Sequence, residues 1–254
     1  LAVMEIKEVS KIILNSKCTV ALTGAGISTA SGIRDFRGPQ GIWKTIDPEK
    51  FEINYFINHS DEVWNLFIKT FALEQEVNPN AAHFALAELE KINVLCGVIT
   101  QNIDGLHQKA GSVNVIELHG NLRKAVCLKC SNTYPLNKII KNFVGKSPLC
   151  PNCNGLLKPD IVFFGEPLKQ EVIFKAIELA KAADVFLAIG TSLSVYPANQ
   201  LPLYAKLKGA KLIIINEGQT EEDNLADIII TGRAETVLPQ IVNEIKNELK
   251  TKKT

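Results

Sequence analysis

Four of the six cysteines stand in two tight pairs, Cys127-x-x-Cys130 and Cys150-x-x-Cys153, with nineteen residues between the pairs. Each pair makes a turn that aims two sulfurs at one centre. Two such turns supply the tetrahedral sulfur cage that zinc prefers. Four sulfurs leave no open coordination position, so the expected role is structural, with one ion holding a small module together. Two redox-active pairs are the competing reading. Cys18 and Cys96 lie in apolar runs and read as buried small hydrophobes. The N-terminal stretch reads as an amphipathic helix carrying Glu5 and Glu8, not as an export signal, and that context favours metal over disulfides.

Three further clusters follow apolar runs directly. Gly24-x-Gly26 comes after CTVAL, where glycine lets a backbone approach a pyrophosphate and amides donate to its oxygens. A tight strand-to-helix turn explains the same two glycines. The spacing is not that of a dehydrogenase, because Thr29 stands where a third glycine would come. Downstream, Ser28, Thr29 and Ser31 offer hydroxyls, Arg37 offers a cationic fork, and Phe36 can cover a flat ring. Gln101-Asn102-Ile103-Asp104 follows VLCGVIT, and three hydrogen-bonding side chains at a strand end are costly unless a ligand or partner satisfies them. Glu117-Leu118-His119-Gly120 follows NVI; a histidine there can act as a general base near neutral pH, or be simply structural. His59, in a polar insertion, and His83, on a helix, belong to the structural class.

These clusters need a scaffold that brings strand ends together. Short apolar runs recur at Thr19–Leu22, Val94–Thr100, Val113–Leu118, Val185–Ile189, Leu212–Ile215 and Ile228–Thr231. Helical patterns lie between and around them, at Met4–Ser16, Ala81–Lys91, Lys169–Ala183, Ala198–Leu207 and Thr236–Lys250. Continuous apolar strands alternating with helices predict an α/β fold: a Rossmann-like parallel sheet with helices on both faces, binding its ligand at the carboxyl ends of the strands. Gly24, Gln101, His119, Gly190 and Asn216 each follow one such run. Two segments break the alternation. Residues 38–76, rich in aromatics and carrying Pro39 and Trp43, read as a helical insertion, and residues 121–157 hold the paired cysteines as a zinc-ribbon module. The sheet domain then comprises 1–37, 77–120 and 158–254.

The chain has 254 residues, 46% hydrophobic and 22% charged, with a net charge of +1. That balance fits a soluble globular protein and argues against a general nucleic-acid binder. The lysine-rich end (Lys246, Lys250, Lys252, Lys253) reads as a solvated helix terminus. No apolar run approaches the ~20 residues that cross a bilayer. A cytoplasmic, monomeric protein is expected, with no membrane and no direct nucleic-acid partner.

GAGISTASGIRDFRGPQGIW, TQNIDGLH, ELHG, the paired cysteines, PDIVFFGE, GTSLSVYPAN and IIIN occur in this order across nearly the whole chain. Together they resemble the sirtuins, the NAD-dependent protein lysine deacylases. The resemblance implies a loop that holds NAD for cleavage at its nicotinamide bond, not for hydride transfer. It implies that Gly24, Ala25, Gly26, Thr29, Asp35, Phe36 and Arg37 surround the phosphates and the nicotinamide ribose. Gln101, Ile103 and Asp104 would line the nicotinamide pocket, with Asp104 bonding the carboxamide and Asn102 the nearby ribose. His119 would take a proton from a ribose hydroxyl. Gly190, Thr191, Ser192, Asn216, Glu217 and Ala234 would surround the adenosine half. Val162, Phe163, Phe164, Gly165 and Glu166 would pair with the backbone of an acetylated protein as an added strand; without the other motifs, 162–164 would read as an ordinary buried strand. The implied products are nicotinamide, deacetylated lysine and O-acetyl-ADP-ribose, with zinc outside the chemistry. Arg34 stands where many sirtuins carry proline. Phe67 and Thr70 align with the Tyr-x-x-Arg pair of members that take acidic acyl groups, and neither offers a cation, so acetyl and longer apolar acyl groups are expected. Mono-ADP-ribosyl transfer by the same NAD cleavage is the alternative activity. A non-catalytic NAD-sensing module and a dehydrogenase are weaker readings.

Overall fold

The structure, a computed structural model, describes residues 2–38, 41–71 and 77–251. Pro39, Lys252 and Lys253 lie outside the described residues, as does the 72–76 end of the insertion. The strands are β1 (Thr19–Thr23), β2 (Leu95–Thr100), β3 (Val115–Glu117), β4 (Gly120–Cys127), β5 (Thr133–Pro135), β6 (Leu157–Ile161), β7 (Val185–Ile189), β8 (Lys211–Asn216) and β9 (Ile228–Thr231). The helices are α1 (Ala2–Leu14), α2 (Ile53–Asn58), α3 (Ser60–Phe71), α4 (Ala81–Lys91), α5 (Leu106–Lys109), α6 (Leu136–Lys141), α7 (Gln170–Ala182), α8 (Leu201–Leu207) and α9 (Ala234–Thr251).

Six strands form one parallel sheet in the order β3-β2-β1-β7-β8-β9. This is the doubly wound order, with the direction of winding reversing between β1 and β7. Both central strands are buried on both faces, as expected of apolar runs with no alternation. One face is covered by α1, α4 and α9, whose Val9, Ile13, Leu86, Leu238 and Ile241 join the first core. On α9 the buried set Val237, Leu238, Ile241, Val242 and Ile245 recurs every three or four residues, so one stripe of the helix faces inward. The other face is covered by α7 and α8 through Ala176, Ala180, Leu201 and Ala205. The α4 boundary is set by a reciprocal cap: the Asn80 side chain accepts from the first turn, and His83 accepts the Asn80 amide. The predicted Ala198–Leu207 helix begins as a 3-10 turn at Ala198–Gln200 and becomes α8 at Leu201, with Pro202 in its first turn.

A second, antiparallel sheet has the order β5-β4-β6. Here the expected boundary at residue 158 needs correction. β6 does not join the parallel sheet; it pairs with β4, and Gly120 at the start of β4 pairs with Ile161. The insertion and the cysteine module share a third core, in which Phe56, Trp64, Phe67 and Phe71 pack with Leu122, Leu136, Leu157 and Phe163. The Trp64 indole donates to the Leu157 carbonyl at 2.9 Å, locking α3 to β6.

The reading of Cys18 and Cys96 as separate buried hydrophobes also needs correction. Both are half-buried, their Cα atoms are 5.4 Å apart, and they form a disulfide. The register of β1 against β2 shifts between Thr19 and Val20, leaving Cys96 as the extra residue between Leu95 and Gly97.

Candidate active site

β1 and β7 end together, and their ends are locked by backbone contacts. The Gly24 amide donates to Ile189 and the Gly26 amide to Gly190, at 3.1 and 2.8 Å. A Cβ on Gly26 would lie 2.8 Å from the Gly190 carbonyl oxygen, and one on Gly24 would lie 2.7 Å from the Thr191 Cβ. The two glycines are therefore required by the closure of the strand ends, beyond any approach to a ligand. Residues Ala25–Ser31 continue as a 3-10 helix.

A cavity of about 1090 Å³ opens at this reversal point. Gly24, Ala25, Gly26, Thr29, Asp35, Phe36 and Arg37 line one end, and Gly190, Thr191, Ser192, Asn216 and Glu217 continue it along the strand ends. Gln101, Asn102, Ile103 and His119 form its floor, and Val162, Phe163, Phe164, Gly165 and Glu166 form the opposite wall. Asp104 and Ala234 are not among the lining residues. Asp104 sits behind the wall, where its carboxylate accepts from the Ser28 hydroxyl at 2.7 Å and from the Leu106 amide at 2.9 Å; burial pushes its carboxyl up. Ala234 is buried at the start of α9.

The hydroxyls expected to face a ligand are spent inside the protein. Thr29 donates to the Gly26 carbonyl, and Ser31 accepts from Asn80. Ser28, only 1% exposed, donates to Asp104 and accepts from the Asn102 amide. Asn102 also donates to the Gly24 carbonyl at 3.0 Å, so its amide nitrogen ties the two strand ends together and its side-chain oxygen keeps no protein partner among the described residues. Gln101 donates to Thr191 at 2.9 Å across the cavity floor.

His119 occupies the two-residue passage between β3 and β4. Its Nδ1 lies 2.9 Å from the Gln101 carbonyl oxygen. A carbonyl only accepts, so Nδ1 carries the proton and Nε2 is left as a free lone pair. Nε2 has no protein partner among the described residues. Burial pushes the His119 pKa down, against the opposing effect of the Gln101 bond, so the imidazole is neutral at pH 7. A neutral, oriented imidazole with one open nitrogen in a cavity can act as a general base.

Two other histidines lie behind the site. His83 and His107 are buried with ring centroids 5.0 Å apart. His83 reaches Ser28 at 3.4 Å, and His107 donates through Nε2 to Thr23, whose hydroxyl donates on to Thr100. Burial lowers the two pKa values from 6.5 to about 4 and about 3. His83 is thus structural, as expected, while the contribution of His107 was not legible in the sequence. His59 is exposed, stacked on Tyr55 at 4.4 Å and remote from the cavity lining.

One end of the cavity is aromatic. Trp43, Phe51 and Phe71 line it together with Phe36 and Phe163, and Trp43 stacks on Phe36 with centroids 5.2 Å apart. The expectation placed on Phe67 and Thr70 is corrected here. Phe67 is buried in the third core and the Thr70 hydroxyl bonds the Leu66 carbonyl, whereas Phe71, one helical turn on, faces the cavity. Sequence reasoning also passed over Val195, Tyr196 and Pro197, which line the cavity too; the GTSLSVYPAN string was the available signal.

The four cysteine sulfurs lie within 4.8 Å of one another, with Cys127–Cys153 and Cys130–Cys150 at 3.5 and 3.6 Å. Zinc–sulfur bonds of about 2.3 Å in a tetrahedron require sulfurs about 3.8 Å apart, so the set fits one zinc ion with all positions filled. The Cys150 thiol is pulled down to about 6, first by the Tyr134 hydroxyl at 3.1 Å, which suits a thiolate ligand.

The family model "SIR2: Sir2 family" matches residues 24–197. "NAD-dependent protein deacetylase 1" of Pyrobaculum aerophilum is 58% identical, over 96% of this chain and 96% of that protein. "NAD-dependent protein deacylase 2" of Archaeoglobus fulgidus is 45% identical, over 95% and 96%. A Sir2 histidine variant solved with deacetylated p53 peptide and 3'-O-acetyl ADP ribose superposes with a TM-score of 0.91 at 42% identity, covering 95% of this chain and 98% of that one. A Sir2–p53 peptide–NAD+ structure gives 0.86 at 40% identity, over 95% and 98%. The pattern runs through the glycine loop, the floor of the cavity and its far wall, and the relatives match from end to end: the chain belongs to the Sir2 family.

Proposed function

We propose that this protein is an NAD-dependent protein lysine deacetylase that transfers the acetyl group of an acetyl-lysine to ADP-ribose. The carrying observation is His119: a neutral imidazole whose Nδ1 is fixed by Gln101, leaving Nε2 open in a cavity with a glycine-rich strand end on one side and an unsatisfied backbone edge on the other. That edge is Val162–Glu166. The Val162 amide is held by the His119 carbonyl, while among the described residues nothing bonds the Val162 carbonyl or the Gly165 amide. An extended peptide satisfies such groups by strand addition.

NAD supplies a nicotinamide–ribose bond whose cleavage makes ADP-ribose the acetyl acceptor. The chain's own residues do the rest. Gly24–Gly26 and Gly190–Ser192 leave room for phosphates and adenosine at the strand ends, and Arg37, exposed at the rim, offers its guanidinium to them. Asn216, the last residue of β8, and Glu217 after it would meet ribose hydroxyls. Asn102 offers its free side-chain oxygen to the reacting half. His119 accepts a proton at Nε2 from a ribose hydroxyl and holds it as imidazolium, with Nδ1–H still bound to Gln101. The aromatic wall of Trp43, Phe51 and Phe71 excludes water from the acyl group and offers no cation, which selects acetyl and longer apolar chains over acidic ones. The zinc set keeps the β4–β6 wall in place and takes no part in proton transfer. A cytoplasmic monomer is proposed; the near-neutral charge suits protein rather than nucleic-acid substrates, and among the described residues no helix is long and apolar enough to cross a membrane.

The test is an acetyl-lysine peptide incubated with and without NAD, followed by mass spectrometry of peptide and nucleotide. Deacetylation with equimolar nicotinamide and O-acetyl-ADP-ribose is expected. NAD cleavage with the acetyl group untouched and label on protein would replace this reading with ADP-ribosyl transfer.

A further inference from the structure

The substrate wall contains a lysine that does not touch the cavity. Lys158 lies on β6, is 3% exposed, and is absent from the cavity lining. Its ammonium has three protons and three acceptors. Nζ donates to the Pro159 carbonyl at 3.1 Å and the Ile161 carbonyl at 2.5 Å, and lies 3.0 Å from Glu166 Oε2. It also sits over the Phe163 ring, 4.6 Å from the centroid. Glu166 Oε2 in turn accepts the Phe163 amide at 2.7 Å, and the Glu166 amide donates back to the Phe163 carbonyl at 3.0 Å. Gly165 between them has φ +81°, a left-handed conformation that closes the turn.

These bonds make a closed bracket. Its two feet are the β6 carbonyls, and its far end is the turn 163–166 that carries the unsatisfied peptide-binding edge. Phe164 is strapped separately, its amide to the Phe51 carbonyl and its carbonyl to the Ile53 amide. Without the ammonium, the Glu166 carboxylate would remain half-buried with only the Phe163 amide, and it would turn toward solvent. The neighbouring Lys169 does not replace it, because its ammonium is paired with Asp160 at 2.9 Å.

We propose that Lys158 is a positioning residue for the acyl-peptide, which holds the 163–166 turn through Glu166 in the shape that accepts the incoming strand. This rests on the deacetylase reading. The edge it shapes lies on the peptide side, while NAD contacts come from the strand ends of the other sheet. Its loss is therefore felt in peptide binding and not in NAD binding.

The experiment compares wild type with Lys158→Met, Lys158→Arg and Lys158→Met/Glu166→Gln. Steady-state nicotinamide release is measured while acetyl-lysine peptide and NAD are varied separately, and direct peptide binding is titrated by fluorescence anisotropy. For Lys158→Met the peptide KM and Kd rise about tenfold, the NAD KM stays within about twofold, and kcat at saturation within about threefold. Lys158→Arg restores most of the peptide affinity. Should Lys158→Met fail to fold, the double variant, which buries no unpaired carboxylate, and the arginine variant carry the same comparison. An unchanged peptide Kd in any folded variant lacking the ammonium overturns the proposal. So does a parallel loss of NAD and peptide affinity that tracks thermal stability. A wild type that binds peptide but transfers no acetyl group refutes the deacetylase reading instead, and the anisotropy series still decides the role of Lys158.

Discussion

Acid should unfold this protein earlier than its carboxylates alone would require, because two neutral histidines are buried behind the cavity. His83 and His107 have native pKa values of about 4 and about 3, against an ordinary 6.5. The native state refuses protons that the unfolded chain takes up, so this contribution to stability is whole above pH 6.5 and is lost as the pH falls toward 4. At pH 5 the unfolded chain holds nearly one proton on each ring, while the native state holds about a tenth of one on His83 and almost none on His107. The difference of about 1.8 protons gives a slope of about 2.5 kcal/mol per pH unit, and about 4 kcal/mol is lost between pH 8 and pH 5. That is a large share of the roughly 5–15 kcal/mol that holds a domain folded. His119, also lowered, adds in the same direction, while Asp104, whose carboxyl is raised by burial, works in the opposite one. The assay is urea unfolding at half-unit steps from pH 8 to pH 5, for wild type, His83→Gln, His107→Gln and the double variant. Each single substitution should cut the slope near pH 5 by about one proton. A double variant whose slope differs from wild type by less than about half a proton refutes the claim that both rings are neutral in the native state.

Three further outcomes follow from the same geometry. His119→Ala should lower the acetyl-transfer rate by about 10²–10⁴-fold in single turnover, with NAD affinity by calorimetry unchanged within about threefold; equal loss of binding would show that the ring is only a cavity wall. Cys150→Ser should abolish the single zinc per chain measured by elemental analysis and expose the third core to proteolysis, since structural zinc binding is worth on the order of 10 kcal/mol. Full activity in metal-free protein would refute that role. Gly26→Ala puts a methyl 2.8 Å from the Gly190 carbonyl oxygen and 2.9 Å from its Cα, and should cost about 1–3 kcal/mol while raising the NAD KM; an unchanged unfolding midpoint would mean that the strand ends separate freely.

What the sequence disclosed depended on whether the signal was local. The Ala81–Lys91 helix was readable to the residue because its pattern is local, and the Asn80 cap that the structure adds lies in the same stretch. The cysteine pairs declared their geometry through spacing, and the polar clusters declared theirs by following apolar strands. Features that depend on a return of the chain were hidden. A lysine in a strand reads as solvent-facing, yet Lys158 is buried because Glu166 comes back to it eight residues later. The Cys18–Cys96 bond joins residues 78 apart in sequence, a pairing that no composition reports. The hydroxyls of Ser28 and Thr29 looked like ligand groups because their internal acceptors, Asp104 from beyond β2 and the Gly26 carbonyl of the same turn, come together only in the fold. On α3 the choice between Phe67 and Phe71 depends on which turn of the helix meets the cavity, and both are aromatic.

The placement of His119 gives a physical reason for the two-sheet design. The chain leaves the parallel sheet at Glu117 and enters the antiparallel one at Gly120, with only Leu118 and His119 between. Leu118 is held by the Thr100 carbonyl of β2, and the His119 carbonyl is held by the Val162 amide from the far wall. Gly120, at φ +78° and with Asp160 O only 2.0 Å from where a Cβ would sit, makes the turn into β4 possible. The histidine backbone is thus fixed from both sheets, and its ring is fixed by Gln101 from the end of β2. A base placed on a loop of one domain would lose alignment whenever the domains shifted. Placed at the crossing, it moves with both walls of the cleft, so on the proposed mechanism the nitrogen that would meet a ribose hydroxyl stays registered to the nucleotide side and to the proposed peptide edge at Val162 at once.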